Sequence, residues 1–159
     1  MTEATLANYQ QQEASMTLKE GLEEYYQRNQ NLISPDNCDN PEVTKLFKRH
    51  DIIHVLFGCS TSLHDETLAD TWTIFGSTIK LREYFGYLNY SETTDILKQI
   101  QVSSIIRETI GAIPDVFKVI GRCRKMPKKW NWSNYEAYLN HSLKELRDEY
   151  GIQILATGS

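Results

Sequence analysis

The sequence predicts an all-α fold, a compact single-domain bundle of about six to seven helices, and three observations carry that expectation. Leu68, Trp72, Phe75 and Ile79 recur at intervals of four, three and four, which is the stripe of a helix facing a core. Asn40, Pro41 and Glu42 together form a helix start: a capping side chain, a residue with no N–H to waste, and an acid in the first turn. Nowhere do apolar and polar residues alternate as in a half-buried strand, and no segment repeats.

Residues 1–16 read as a polar lead-in, with Gln10, Gln11 and Gln12 in a row, and residues 17–155 as one helical domain. A first helix from about Thr17 to Gln30 would bury Leu18, Leu22 and Tyr25 or Tyr26. Residues 31–40, containing Pro35, Asp36 and Asn37, make a loop. The second helix runs from Pro41 to Phe57, where Gly58 is placed to end it. Ser62 with Asp65 caps a third, expected to run to about Tyr84. Gly86 and Asn89 break the chain, Ser91 with Asp95 starts a short helix, and Val102–Ile110 is apolar enough to be buried. Gly111 and Pro114 should kink or divide that helix. Gly121–Trp132 reads as a polar loop, and after a Ser133 cap the last helix runs to Tyr150 on Tyr135, Tyr138, Leu139, Leu143 and Leu146, with Ile152–Leu155 as an extended tail.

Composition narrows the function classes. With 159 residues, 40% of them hydrophobic and 24% charged, the chain supports one core of ordinary globular character. A net charge of −4 works against nucleic-acid binding, which needs a basic footprint. Cys38, Cys59 and Cys123 are widely spaced and odd in number, so neither a disulfide framework nor a cysteine zinc site is indicated, and a reducing compartment is expected. Ile52–Phe57, interrupted by His54, is the longest apolar stretch and falls far short of the roughly 20 residues that cross a bilayer. Glu3, Glu13, Glu20, Glu23 and Glu24, with no arginine before Arg28, argue against a secretory signal or transit peptide. The expected location is the cytoplasm, with the inner face of a membrane as an alternative.

Chemistry concentrates at His50-Asp51-Ile52-Ile53-His54. Four residues of helix place the two histidines about 40° apart on one face, so both imidazoles can reach one ion. Asp51 lies about 60° from His54 on the other side, and the surrounding Ile52, Ile53, Val55, Leu56 and Phe57 are apolar. A histidine pair alone is as often a hydrogen-bonded core feature. A second cluster, His64-Asp65-Glu66, sharpens the metal reading, because the turn at 59–62 can fold Glu66 back to complete the shell. Two imidazoles with carboxylate suit zinc, and also ferrous iron, manganese or, less well, magnesium.

The motif HDxxH, eleven residues, then Glu, here His50, Asp51, His54 and Glu66, resembles the signature of the Coq four family of coenzyme Q biosynthesis proteins. Trp132 and the run from Leu143 to Ile152 are similar to that family's closing helix, so the resemblance covers roughly residues 41–152. The chain departs from the pattern in carrying His64-Asp65 before the glutamate, and residues 80–120 match loosely. The resemblance implies an all-helical fold, a zinc site made by all four residues, which are then also the catalytic ones, and decarboxylation at ring carbon one of polyprenylated hydroxybenzoates. It further implies other quinone biosynthesis enzymes as partners, and a homodimer is one assembly it allows.

A polyprenyl substrate needs apolar lining, for which Ile106, Ile110, Ile113 and Phe117 are candidates, with ordinary core as the alternative role. Arg122, Arg124, Lys125, Lys128 and Lys129, five of the seventeen Lys and Arg, precede Trp130 and Trp132, a mixture suited to lipid headgroups at a membrane surface. A solvated loop is the alternative. The runner-up function is a noncatalytic isoprenoid-binding scaffold with a structural metal, and a phosphohydrolase acting on prenyl phosphates ranks last, since no second metal cluster is legible.

Overall fold

The computed structural model describes residues 6–32, 40–87 and 102–155, and within them the side chains of all but residues 87, 102–106 and 108. Among these the fold is all-α: α1 (Leu18–Arg28), α2 (Pro41–Phe57), α3 (Leu63–Gly76), α4 (Leu81–Tyr87), α5 (Val102–Lys125) and α6 (Leu143–Tyr150), with 3₁₀ turns at Asn8–Gln10 and Tyr135–Tyr138 and no strand. α3 packs most extensively against α5, and α2 lies between α1 and α3. Among the described residues no helix is long and apolar enough to cross a membrane. The helix expected to start near Ser91, and most of the loop at 31–40, lie outside the described residues.

The signals at both ends of α2 act as read. Asn40 Oδ1 accepts from Glu42 N at 3.0 Å, Pro41 opens the helix, and Gly58 at φ 72° closes it in a left-handed conformation that any side chain would strain. At α1 and α6, Thr17 with Glu20 and Ser142 with Glu145 form reciprocal capping boxes. The two starts lie side by side: Leu18 N donates to His141 O at 2.9 Å, and Leu143 N to Met16 O at 2.8 Å. α1 approaches α2 closely at Gly21, where an added Cβ would come 2.6 Å from Val55 Cγ1.

Four sequence expectations are corrected. The lead-in is not a polar appendage, since Ala7, Tyr9 and Ala14 are buried and Tyr9 Oη donates to Cys59 O. α3 ends at Gly76, not near Tyr84, because the segment carrying Trp130 crosses there: Trp130 N donates to Gly76 O and Thr78 N to Trp130 O, both at 2.9 Å. α5 is one continuous helix through Gly111 and Pro114 to Lys125, shortening the expected loop at 121–132. Pro114 is exposed, so water reaches the carbonyl left without a helical donor, and buried Val119 and Cys123 carry the core face onward. The last helix starts at Ser142 instead of Ser133, because residues 14 and 16 take the first-turn N–H groups of α6 and the capping box fixes that boundary.

One buried cation ties the termini to α2. Arg147 on α6 is 1% exposed and donates only to backbone carbonyls: Leu56 O at 2.9 Å, Val55 O at 3.0 Å, Tyr9 O at 2.6 Å, Gln12 O at 3.3 Å, and Gln11 O. Of the two α2 carbonyls it reaches, Val55 O has only a 3.4 Å bond from Gly58 N and Leu56 O has no backbone donor, and a guanidinium at a helix C-terminus satisfies them and opposes the negative dipole end. Burial pulls its pKa down to about 10, so it remains charged at neutral pH.

Candidate metal centre

α2 buries its polar residues among apolar ones. His54 is 0% exposed and Asp51 9%, flanked by Ile52, Ile53, Val55, Leu56 and Phe57, all at 0%. Polar side chains in such surroundings cost free energy unless each finds a partner. The turn at 58–62 supplies one: His54 Nδ1 donates to Ser60 O at 3.0 Å. That bond places the proton on Nδ1 and leaves the Nε2 lone pair directed away from it. Asp65 holds the turn, accepting from Ser60 N at 2.6 Å while its own N–H donates to Ser62 Oγ at 3.2 Å.

Three groups converge on the Nε2 side. His54 Nε2 stands 3.1 Å from His50 Nε2 and 3.4 Å from Glu66 Oε1, and His50 Nε2 stands 3.2 Å from Glu66 Oε2. His50, His54 and Glu66 are the group able to hold a metal ion among the described residues. Ligands 2.0–2.1 Å from a tetrahedral zinc stand about 3.3 Å apart, close to all three separations. A lone pair facing a carboxylate is repulsive unless a proton or a cation lies between them, so the arrangement itself calls for positive charge. Without a metal His50 supplies it: burial pushes its pKa down, but the hydrogen bond and charge of Glu66, with Asp70 and Asp51 nearby, outweigh that and raise it to about 9. Burial pushes the Glu66 carboxyl up, yet the two histidines hold it well below the usual range.

The fourth motif residue has another bond. Asp51 Oδ2 accepts from Tyr26 Oη at 2.8 Å, and burial raises its pKa against the lowering effect of that bond and of both histidines. Asp51 therefore lies beside the trio, close enough to feel its charge, with one oxygen committed to α1. Tyr25, also on α1, packs its ring 5.4 Å from that of His54. His50 and Glu66 keep 25% and 37% of their side chains exposed, so the trio is walled in at His54 and open at the other two. Three protein ligands with an open side is the pattern of a site able to bind a further ligand.

The expected His64-Asp65-Glu66 cluster is divided. Glu66 joins the trio, Asp65 is 2% exposed and braces the turn, and His64 Nε2 reaches Asp115 Oδ2 of α5 at 3.3 Å. Cys59 is a buried thiol whose pKa burial raises, in keeping with a packing role. Sequence reasoning missed Ser60, Tyr26, Arg147 and the pair of Tyr84 and Asp70, which are hydrogen-bonded beside His50. Only the Tyr25-Tyr26 doublet on the core face of α1 offered a signal.

The lipid and headgroup candidates divide as well. Ile110, Ile113 and Phe117 are 60%, 47% and 69% exposed, so they form a surface stripe and not the wall of an internal channel, while the side chain of Ile106 lies outside the described residues. Trp130 and Trp132 are each 1% exposed, which removes them from any membrane contact: they fill the core. Arg122 donates to Gln153 O and Ile154 O, Lys128 pairs with Glu149 over the Tyr150 ring, and Lys129 donates to Cys123 O at 2.7 Å. Arg124 and Lys125 remain exposed with no polar partner among the described residues. No family model, curated protein or solved structure matches the chain.

Proposed function

We propose that the chain is a divalent-metal protein of prenylquinone biosynthesis, holding zinc at His50, His54 and Glu66 and removing the ring-carbon-one carboxylate of a polyprenylated hydroxybenzoate. The observation that supports it best is the convergence of two Nε2 atoms and both oxygens of one carboxylate within 3.1–3.4 Å, open on the His50 and Glu66 side. The substrate class rests on the resemblance of His50, Asp51, His54 and Glu66 to the coenzyme Q biosynthesis motif. Zinc held by His50, His54 and Glu66 would supply Lewis acidity toward a substrate carboxylate.

The chain's own groups orient and manage protons. Ser60 O fixes the tautomer of His54, and Tyr25 walls off its ring from water. Asp51, held by Tyr26, supports the two imidazoles from the walled side, while at the open side the bond between the ring and its carboxylate breaks, carbon dioxide leaves, the ring carbon keeps the electron pair, and a proton from water replaces the lost group, leaving hydroxide in solution. The test is zinc-loaded protein given a prenylated 4-hydroxybenzoate labelled in the carboxyl carbon. Labelled carbon dioxide and an equivalent of the decarboxylated phenol are expected, and both vanish in Glu66→Ala. Substrate recovered intact from protein with a full complement of metal would remove the catalytic reading and leave a scaffold in which the metal pins α2 to α3.

A further inference from the structure

Arg49, one residue before the ligand His50, is held in place without being satisfied. Its side chain is 18% exposed, and its Nε is sealed from water with no hydrogen-bond partner among the described residues. The one ion pair it makes there joins Nη1 to Glu83 Oε1 of α4 at 3.9 Å, too long for a hydrogen bond. Glu83 is 38% exposed, and a loose pair with that much water around it does little for stability. A buried donor without an acceptor costs free energy, so an arginine kept in this state is suited to an acceptor that arrives from outside the fold.

The chemistry of that acceptor follows from what surrounds the guanidinium. With Nη1 turned to Glu83, the edge formed by Nε and Nη2 is unclaimed, and that edge is a fork for two oxygens of one carboxylate or phosphate. Tyr135, which opens the 3₁₀ turn Tyr135–Tyr138, is half-buried and its phenol makes no hydrogen bond among the described residues. Burial and the neighbouring Glu136 raise the Tyr135 phenol, while Lys48 and Arg49 pull it back, so that O–H stands in the field of both cations. Glu136 is exposed and Glu83 more than a third so, which leaves both carboxylates free to turn into water when another anion enters.

We infer that the junction of α2, α4 and the Tyr135 turn is an oxyanion-binding site, in which Arg49 exchanges Glu83 for a carboxylate or phosphate group held by Nε and Nη2, with Tyr135 as a further donor. The site stands apart from the metal centre: Arg49 lies about 100° round α2 from His50, and none of the groups that build the site is a metal ligand. Its failure would leave the metal reading untouched. The same fork accepts the carboxylate of an aromatic acid or the phosphate of a phosphorylated metabolite, and titration tells the two sources apart.

Metal-free full-length protein is titrated by calorimetry with inorganic phosphate and, separately, with 4-hydroxybenzoate, each against sodium chloride at matched ionic strength. Saturable binding of at least one of the two anions is expected, with a dissociation constant on the order of a millimolar or tighter, and the arm that binds identifies the source. Arg49→Met should weaken that binding about tenfold or more while the melting temperature without anion stays at or above that of the parent, because a buried donor without an acceptor has been removed. Glu83→Gln removes the competing carboxylate and should tighten binding severalfold, which decides the matter even where Arg49→Met does not fold. Neither anion binding above chloride, Arg49→Met binding as well as the parent, or Glu83→Gln binding no more tightly overturns the proposal. The pair of Arg49 and Glu83 is then a structural contact between α2 and α4.

Discussion

α2 and α5 break the ordinary partition of side chains in opposite directions. α2 takes imidazole and carboxylate into apolar surroundings, whereas α5 leaves isoleucine and phenylalanine in water. On α2 the buried side chains of His54 and Asp51 are answered by Ser60 and Tyr26, and His50 by Glu66, which fixes the helix in place. On α5 the exposed row stands outside the core formed by the described residues. Departures of the first kind make a rigid site, and those of the second make a surface, so mutations in the two places should differ in what they damage.

The largest effect should come from the end of α2. Arg147→Met removes five hydrogen bonds to backbone carbonyls, leaves those of Leu56, Tyr9 and Gln12 without a donor, and loosens both termini from the ligand helix. A loss of about 3–5 kcal/mol in denaturant unfolding is expected, with Arg147→Lys losing less. Equal and small losses in both would show that α2 is not held by this cation, and the contrast with α5 would weaken.

A smaller effect distinguishes proton from metal. In chelated protein the folded-state pKa of His50 is about 9 against an ordinary 6.5, so its pairing with Glu66 stabilises fully below about 6.5 and the contribution is lost as pH rises through 9. Glu66 is lowered, so its share is present above the usual carboxylate range and lost as pH falls below it. The denaturation midpoint of metal-free protein should thus decline between pH 6.5 and 9, and that decline should be absent in His50→Gln. Metal affinity should rise over the same window, because the ion displaces the proton from His50. A flat midpoint in the parent protein would mean the imidazole and carboxylate are not paired.

The smallest effect belongs to α5. Phe117→Ser should change stability by no more than about 0.5 kcal/mol, because that side chain is 69% exposed and leaves little packing behind. A loss of 2 kcal/mol or more, the scale of a core deletion, would place Phe117 inside the fold.

How far the sequence could be read follows the same contrast. The limits of α2 were legible because Asn40, Pro41 and Gly58 act through their own backbones, and Ser62 likewise starts α3. The trio was legible because its spacing is set by one helix and one short turn. Arg147 was not, since its acceptors lie 91 to 138 residues away and a carbonyl has no sequence signature. Nor was the orientation of α5: Ile110, Ile113 and Phe117 repeat with the same period as Ala112, Val119 and Cys123, and periodicity does not say which row turns inward. The tryptophans at 130 and 132 misled for the same reason, as an aromatic beside lysines reads as surface until the end of α3 is seen to cross it.

The central claim is that His50, His54 and Glu66 form one cation site, and metal content tests it most directly. Protein purified without chelator, or stripped and dialysed against zinc, should carry one equivalent by elemental analysis, and His54→Ala and Glu66→Ala should each carry essentially none while remaining folded. Parent protein that takes up no zinc, or variants that bind as much as the parent, would contradict the account and reduce the trio to a hydrogen-bonded cluster in the core.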